Sequence, residues 1–416
     1  MARFVLLVAF LALVRPADAQ LARGHAKFLG NVYSSAQLPS FQSYWNQVTP
    51  ENAGKWGTAE PQRDVMNWTT LDAMVAFART NNFPVRFHVL VWGNQQPSWI
   101  ESLTPTEQLE EIEEWFAAVA ARYPDLNYVE VVNEPLHDPP DGIGDGNYIA
   151  ALGGTGTTGW DWVLNSFRMA RRHFGTAKLM INEYGILSST SAANQYLAII
   201  NLLKAENLID GIGVQGHAFT TVGASATTMR SVLNGLAATG LPIQVTEMDI
   251  DGLSGPTAQK NEYERVFPVL WEHPGVQGIT LWGWRPGMWR SEQQAMLVTT
   301  DGTQKSAMIW LRGYLNGVLA DAESAGDLPA RFELEPGYPN PFNPSVTLPF
   351  ALDRASDVAL RIHDALGREV ESMNLGVLPA GRHEARWEAA GRPTGTYLVS
   401  LESGSRRSHR TVSLIR

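Results

Sequence analysis

Glu134 stands near the end of the run Tyr-Val-Glu-Val-Val-Asn-Glu-Pro, residues 128–135. So Val-rich a run predicts a strand buried on both faces, as in a parallel sheet. Pro135 ends the ladder by removing a backbone donor. A carboxylic acid is thus delivered at the C-terminal end of a core strand, where parallel α/β architectures gather ligand-binding and catalytic groups. Glu247 ends a second such run, Ile243–Glu247. A capped strand end with a solvated acid is the plain alternative for either residue alone. As a pair they offer what cleavage of a glycosidic bond requires: a neutral carboxyl that gives a proton, and an ionised one that attacks or activates water. Identical carboxyls cannot divide that labour, so their surroundings must push the two pKa values apart.

The other expected strand ends carry polar or aromatic residues as well. They are Glu51, Asn52 and Lys55; His88 and Trp92; Asn133; Asn182, Glu183 and Tyr184; Gln215 and His217; Asp249; and Trp282. A barrel built for stability alone has no need of this at every strand. Trp92, Tyr184, Trp282, Trp284 and Trp289 fall in or near the same loops. Flat sugar faces stack on such rings, although Trp284 and Trp99 also suit a core. A metal site is a rival use of Glu134, His217, Glu247 and Asp249, but no His-x-x-x-His or Glu-x-x-His spacing supports it. A Ser–His–Asp triad lacks its Gly-x-Ser-x-Gly elbow. Gly154–Gly159 spells a dinucleotide fingerprint, yet follows no strand and precedes no second strand with an acid. It reads as a loop, and so does Asp141–Gly146, with a calcium site as the alternative there.

The elements that must hold these residues alternate in a regular way. Expected strands are Phe28–Tyr33, Gln47–Thr49, Pro84–Val91, Tyr128–Val132, Lys178–Asn182, Gly211–Gln215, Ile243–Glu247 and Val276–Trp282. Helical patterns separate them, the last being Lys305–Val318. Thr104-Pro105-Thr106-Glu107 opens one helix with a capping box and a Pro at its first position. Leu109, Ile112, Trp115, Phe116, Val119 and Ala120 give that helix one apolar stripe. Eight strand–helix units predict an α/β fold, a (β/α)8 TIM barrel over 20–322.

Composition is consistent with this. The 416 residues are 44% hydrophobic and 18% charged, with a net charge of −10 and no cysteine. The acidic balance argues against a nucleic-acid partner. Without cysteine there is no thiol catalysis, Cys-ligated zinc or disulfide. No stretch is long and apolar enough to span a bilayer. Met1–Ala19 has the charged start, short apolar centre and Ala-x-Ala ending of a signal peptide, which predicts a secreted or cell-surface location. Composition shifts after 322. A linker is expected over 323–335, then a small all-β sandwich over 336–416 made of short alternating strands between Val346 and Ile415. A sugar-binding module would need an exposed aromatic platform, whereas Trp387 and Tyr397 point inward at period two.

At its strand ends the chain resembles glycoside hydrolase family 10 endo-β-1,4-xylanases. The similarity lies in Thr49–Trp56, Phe87–Trp92, Val131–Glu134, Ile181–Tyr184, Gly211–His217, Val245–Asp249 and Thr280–Gly283 with Trp289. It implies retaining hydrolysis of xylan without a cofactor or metal. Glu134 would be the acid/base and Glu247 the nucleophile, with Asn133 on the sugar 2-hydroxyl. His217 would orient Glu247, backed by Asp249. Glu51, Asn52 and Lys55 would hold the next sugar on the non-reducing side. His88, Trp92, Gln95, Gln215, Trp282 and Trp289 would shape the cleavage subsite, and Tyr184 the leaving-group side. Cleavage of β-1,4-glucan, or sugar binding without hydrolysis, are the alternatives. The chain departs from the family's usual pattern at Gly93, Glu183, Gly185 and Trp284-Arg285. Residues 338–344, with Leu366-Gly367 and Pro379-Ala380-Gly381, resemble a type 9 secretion sorting domain, which implies that machinery as a partner.

Overall fold

The computed structural model describes residues 20–326 and 332–415, apart from 145, 355, 379 and 380. The signal-peptide stretch, residues 327–331 of the expected linker and Ala380 of the expected turn therefore lie outside the described residues. The described chain divides into two compact units, with the boundary between Leu315 and Asn316.

In the first unit eight parallel strands follow one another around a ring. They are β1 (Phe28–Tyr33), β2 (Val48–Pro50), β3 (Arg86–Phe87), β4 (Tyr128–Asn133), β5 (Lys178–Asn182), β6 (Gly211–Val214), β7 (Ile243–Met248) and β8 (Val276–Leu281). The sheet order is β2-β1-β8-β7-β6-β5-β4-β3. A parallel bridge from Val48 to Val85 joins its two ends. This is the expected (β/α)8 barrel. Each strand leads to a helix, although the first is only Phe41–Tyr44. The last helix runs from Ser306 to Gly326, beyond the expected end at Val318 and into the stretch read as linker.

Two local expectations need correcting. The strand expected over Pro84–Val91 keeps regular pairing only at Arg86 and Phe87, and resumes as a single bridge from Val91 to Val132. The Pro105–Arg122 helix has its capping box, but Leu109 is 41% exposed and falls outside the buried stripe. Gln108 and Glu111 are buried in its place because the side chains have partners. Gln108 Nε2 donates to the Ile100 carbonyl at 3.0 Å, and Arg63 Nε donates to Glu111 at 2.8 Å.

The second unit is all-β. A sheet β13-β10-β9 (Gly381–Glu388, Ser345–Leu352, Glu333–Leu334) and a sheet β12-β11-β14-β15 (Glu369–Leu378, Ser356–His363, Gly395–Ser403, Arg406–Leu414) enclose one apolar core. Period-two alternation buries Val346, Leu348 and Phe350 from one strand and Val358, Leu360 and Ile362 from another. Trp387 and Tyr397 lie inside, 2% and 3% exposed, with ring centroids 5.1 Å apart. Neither offers a surface platform.

Candidate active site

The barrel ladder sets the height of each mouth residue. Glu134 N–H donates to the Asn182 carbonyl, Gln215 N–H to Glu183, Glu247 N–H to Gln215 and Trp282 N–H to Met248, each at 2.9 Å. Side chains just past the strand ends therefore converge on one cleft of about 390 Å³. Glu51, Asn52, Lys55, His88, Trp92, Gln95, Asn133, Glu134, Tyr184, Gln215, His217, Glu247, Trp282 and Trp289 all line it. Asp249 lies behind this lining. Asn94, Asp138 and Phe219 also line the cleft, although nothing in the sequence reading singled them out.

Glu134 sits in the left-handed region, φ 55°, rare for a residue with a side chain. Its Oε2 accepts from the Trp92 indole at 2.7 Å and its Oε1 from Gln215 Nε2 at 2.6 Å. Burial pushes its carboxyl up, against the Gln215 hydrogen bond and with the charge of Glu247, to about 8. Glu247 moves the other way. Burial pushes it up too, but the His217 hydrogen bond and the neighbouring charges of His88, His217 and Arg86 outweigh that and hold it at about 2. Its Oε1 also accepts from Asn182 Nδ2 at 2.7 Å.

The two acids share a relay of amides. Asn182 Nδ2 donates to Asn133 Oδ1 at 2.9 Å as well as to Glu247, and Gln215 Nε2 reaches Asn133 Oδ1 at 3.3 Å as well as Glu134. His217 holds Nδ1 2.7 Å from Asp249 Oδ2 and Nε2 3.3 Å from Glu247 Oε2. Burial disfavours its charge, but the two carboxylates win and raise it to about 10, so His217 is a cation at neutral pH. Asp249 Oδ2 further accepts from the Trp289 indole at 2.9 Å, which sets the pose of a ring left 47% exposed.

On the other wall, Lys55 Nζ donates to Asn52 Oδ1 at 2.8 Å and Gln95 Oε1 at 3.1 Å, and lies 5.3 Å from the Trp92 ring. Burial lowers its pKa, while Glu247, Glu51 and Glu134 raise it. Gly93 is forced to be glycine: a Cβ there would lie 2.3 Å from the carbonyl oxygens of Asp138 and Pro139. Trp284 belongs to the core, 0% exposed, with its indole on the Gln37 carbonyl at 3.0 Å. Gly154–Gly159 is a loop tied to Asp161, as expected.

Beneath the cleft lies a buried ionic layer that the sequence reading missed. Glu130 Oε2 lies 2.6 Å from His88 Nδ1, and Glu130 Oε1 lies 2.8 Å from Arg86 Nε. Ligand atoms of His88, Glu130 and Glu247 fall within 4.8 Å of one another. Each has a protein partner: Glu130 pairs with Arg86 and His88, and Glu247 accepts from Asn182.

Residues 18–313 match the family described as Glycosyl hydrolase family 10, and residues 343–406 match the FlgD Ig-like domain. Endo-1,4-beta-xylanase B of Cellvibrio japonicus is 38% identical over 70% of this chain, which spans 46% of that relative's length. Endo-1,4-beta-xylanase A of Fusarium oxysporum is 32% identical over 60% of this chain and 81% of its own. Xylanase 10B from Thermotoga petrophila, solved in complex with xylobiose, superposes with a TM-score of 0.63 at 26% identity, over 72% of this chain and 97% of that one. By the match to its catalytic barrel, the chain belongs to glycosyl hydrolase family 10.

Proposed function

We propose that the protein is a retaining endo-1,4-β-xylanase in which Glu134 is the acid/base and Glu247 the nucleophile. The observation that carries this reading is two carboxyls lining one cleft in opposed surroundings: burial raises Glu134, while the His217 hydrogen bond and neighbouring positive charge outweigh burial and hold Glu247 down. At neutral pH Glu134 holds a proton and Glu247 a negative charge, the division that glycoside cleavage needs. Glu247 attacks the anomeric carbon while Glu134 protonates the departing oxygen, giving a glycosyl-enzyme ester. Esterification removes the Glu247 charge, one of the causes that raise Glu134, so the Glu134 pKa falls and the carboxylate left by the first step stays ionised to act as base in the second. It then takes a proton from water as that water's oxygen displaces Glu247 from the sugar.

The amide relay would present Asn133 to the sugar 2-hydroxyl. Trp289, fixed by Asp249, would leave no room for the hydroxymethyl that glucose carries and xylose lacks. The test is Glu134→Gln assayed on xylan and on carboxymethyl-cellulose. Xylan cleavage should fall by about a hundred-fold or more with xylan binding kept, and the wild type should release products of retained β configuration by NMR. Unchanged turnover would remove Glu134 from its role, and inverted products would remove the ester. Preference for carboxymethyl-cellulose would replace the substrate.

Met1–Ala19 and the C-terminal unit belong to the same proposal as an export signal and an address or attachment domain for type 9 secretion. The FlgD Ig-like match supports a sandwich and says nothing of an address. Expression in a host that has that machinery, with and without 336–416, should place only the full chain at the cell surface or in the medium.

A further inference from the structure

One face of the Tyr184 ring in the cleft is covered. His137 lies against it with centroids 4.1 Å apart and planes 27° apart. Phe219 meets Tyr184 edge-on at 6.1 Å. His137 is itself held in place, since its Nδ1 lies 2.9 Å from Glu183 Oε1. Glu183 is fully buried, and its carboxyl also accepts from the backbone N–H of Leu136 and of Tyr184, each at 2.8 Å. One carboxyl thus ties the turn after Glu134 to the turn that carries Tyr184, with His137 as its only side-chain partner among the described contacts. The hydrolytic steps make no use of Glu183. Gly185 adopts φ +70°, and a Cβ there would lie 3.7 Å from His137 Cε1, so the imidazole rests over that backbone. A ring bounded by Tyr184, Glu183 and Gly185 has little freedom, and neither has the ring stacked on it. An offset aromatic pair adds to the worth of the area it buries and fixes an orientation.

We propose that His137 is a positioning residue for the leaving-group side of the cleft: anchored by Glu183 and stacked on Tyr184, it fixes the aromatic surface on which the departing stretch of the sugar chain lies. This rests on the endo-cleaving reading above, and on the place that reading gives Tyr184. It requires no change in the chemistry at Glu134 and Glu247.

Two variants separate the stack from the anchor. His137→Gln keeps a donor for Glu183 and loses the ring; His137→Phe keeps a ring for Tyr184 and loses the donor. Two substrates separate the sides of the cleft. Xylohexaose spans both, whereas β-xylobiosyl fluoride leaves only fluoride on the leaving-group side. His137→Gln should raise KM for xylohexaose about three- to ten-fold with kcat nearly unchanged. It should leave xylobiosyl fluoride hydrolysis at the wild-type rate, and His137→Phe should recover part of the lost affinity through the stack but not all of it, for want of the Glu183 anchor. His137→Gln that matches wild type on xylohexaose or that loses equally on the fluoride, or His137→Phe that equals either wild type or His137→Gln, overturns the proposal. A wild-type protein that cleaves neither substrate overturns the endo-xylanase reading first, and this inference with it.

Discussion

His217 places one ring nitrogen 3.3 Å from Glu247 and the other 2.7 Å from Asp249. An imidazole between two carboxylates in a buried site stays charged, and its charge keeps Glu247 ionised. Replacing it with Asn leaves hydrogen-bonding capacity and removes the cation. The Glu247 carboxyl should then rise from about 2, because burial, the largest influence on it, is no longer outweighed. The acidic limb of the kcat/KM profile should move up by about one unit or more. A profile of His217→Asn on xylohexaose that keeps the wild-type limb would show that Glu247 owes its charge to other groups.

Glu134 makes stability depend on pH in a direction that can be worked out. Its carboxyl is raised in the folded chain to about 8 from an unfolded value near 4.5. The native state therefore favours the proton. The associated stability is complete below about 4.5 and is lost as pH rises through about 8. A Gln at this position imitates the neutral acid at every pH. Glu134→Gln should melt close to wild type at pH 4 and at progressively higher temperature than wild type towards pH 9, followed by calorimetry. A pH-independent difference would mean that Glu134 titrates normally in the fold.

The Pro105–Arg122 helix offers a smaller test at a distance from the cleft. Thr104 accepts from the Glu107 N–H, and Glu107 accepts from the Thr104 N–H at 2.9 Å. Thr104→Ala removes the hydroxyl half of this box and leaves the backbone half in place. It should cost about 1 kcal/mol in urea unfolding and leave kcat on xylan unchanged. A loss of activity without a loss of stability would point to coupling from this helix to the cleft.

Strand ends were legible because a parallel barrel reveals itself twice, in apolar runs and in the polar residues that close them. That is why Glu134, Glu247 and the strand-end residues lining the cleft could be named from their positions, whereas Gln95 came only from the family resemblance and Asn94 and Asp138 were not named. His137 and Phe219 were not legible for the opposite reason: both sit in loops, where no period fixes the direction of a side chain. Leu109 fits the helical period and still faces out, because Gln108 and Glu111 found partners and took the buried positions. The ionic layer did leave a signal. Glu130 interrupts a Val-rich strand and Arg86 begins the preceding one, and two charges in fully buried strands can only be tolerated as a pair.

That pair sets the largest expected effect on stability. Arg86 and Glu130 are both 0% exposed, and Glu130 also holds His88 at 2.6 Å. Arg86→Met leaves the buried Glu130 carboxylate without its guanidinium partner, and should cost about 3–5 kcal/mol. Glu130→Gln strands the guanidinium and should cost a similar amount. Arg86→Met/Glu130→Gln removes both charges together and should recover a large part of either loss, since the cost lies in the unpaired ion rather than in missing attraction. Urea unfolding of the four proteins closes the cycle. Strictly additive losses would mean that the two charges do not depend on each other and that the layer under the cleft is held by packing.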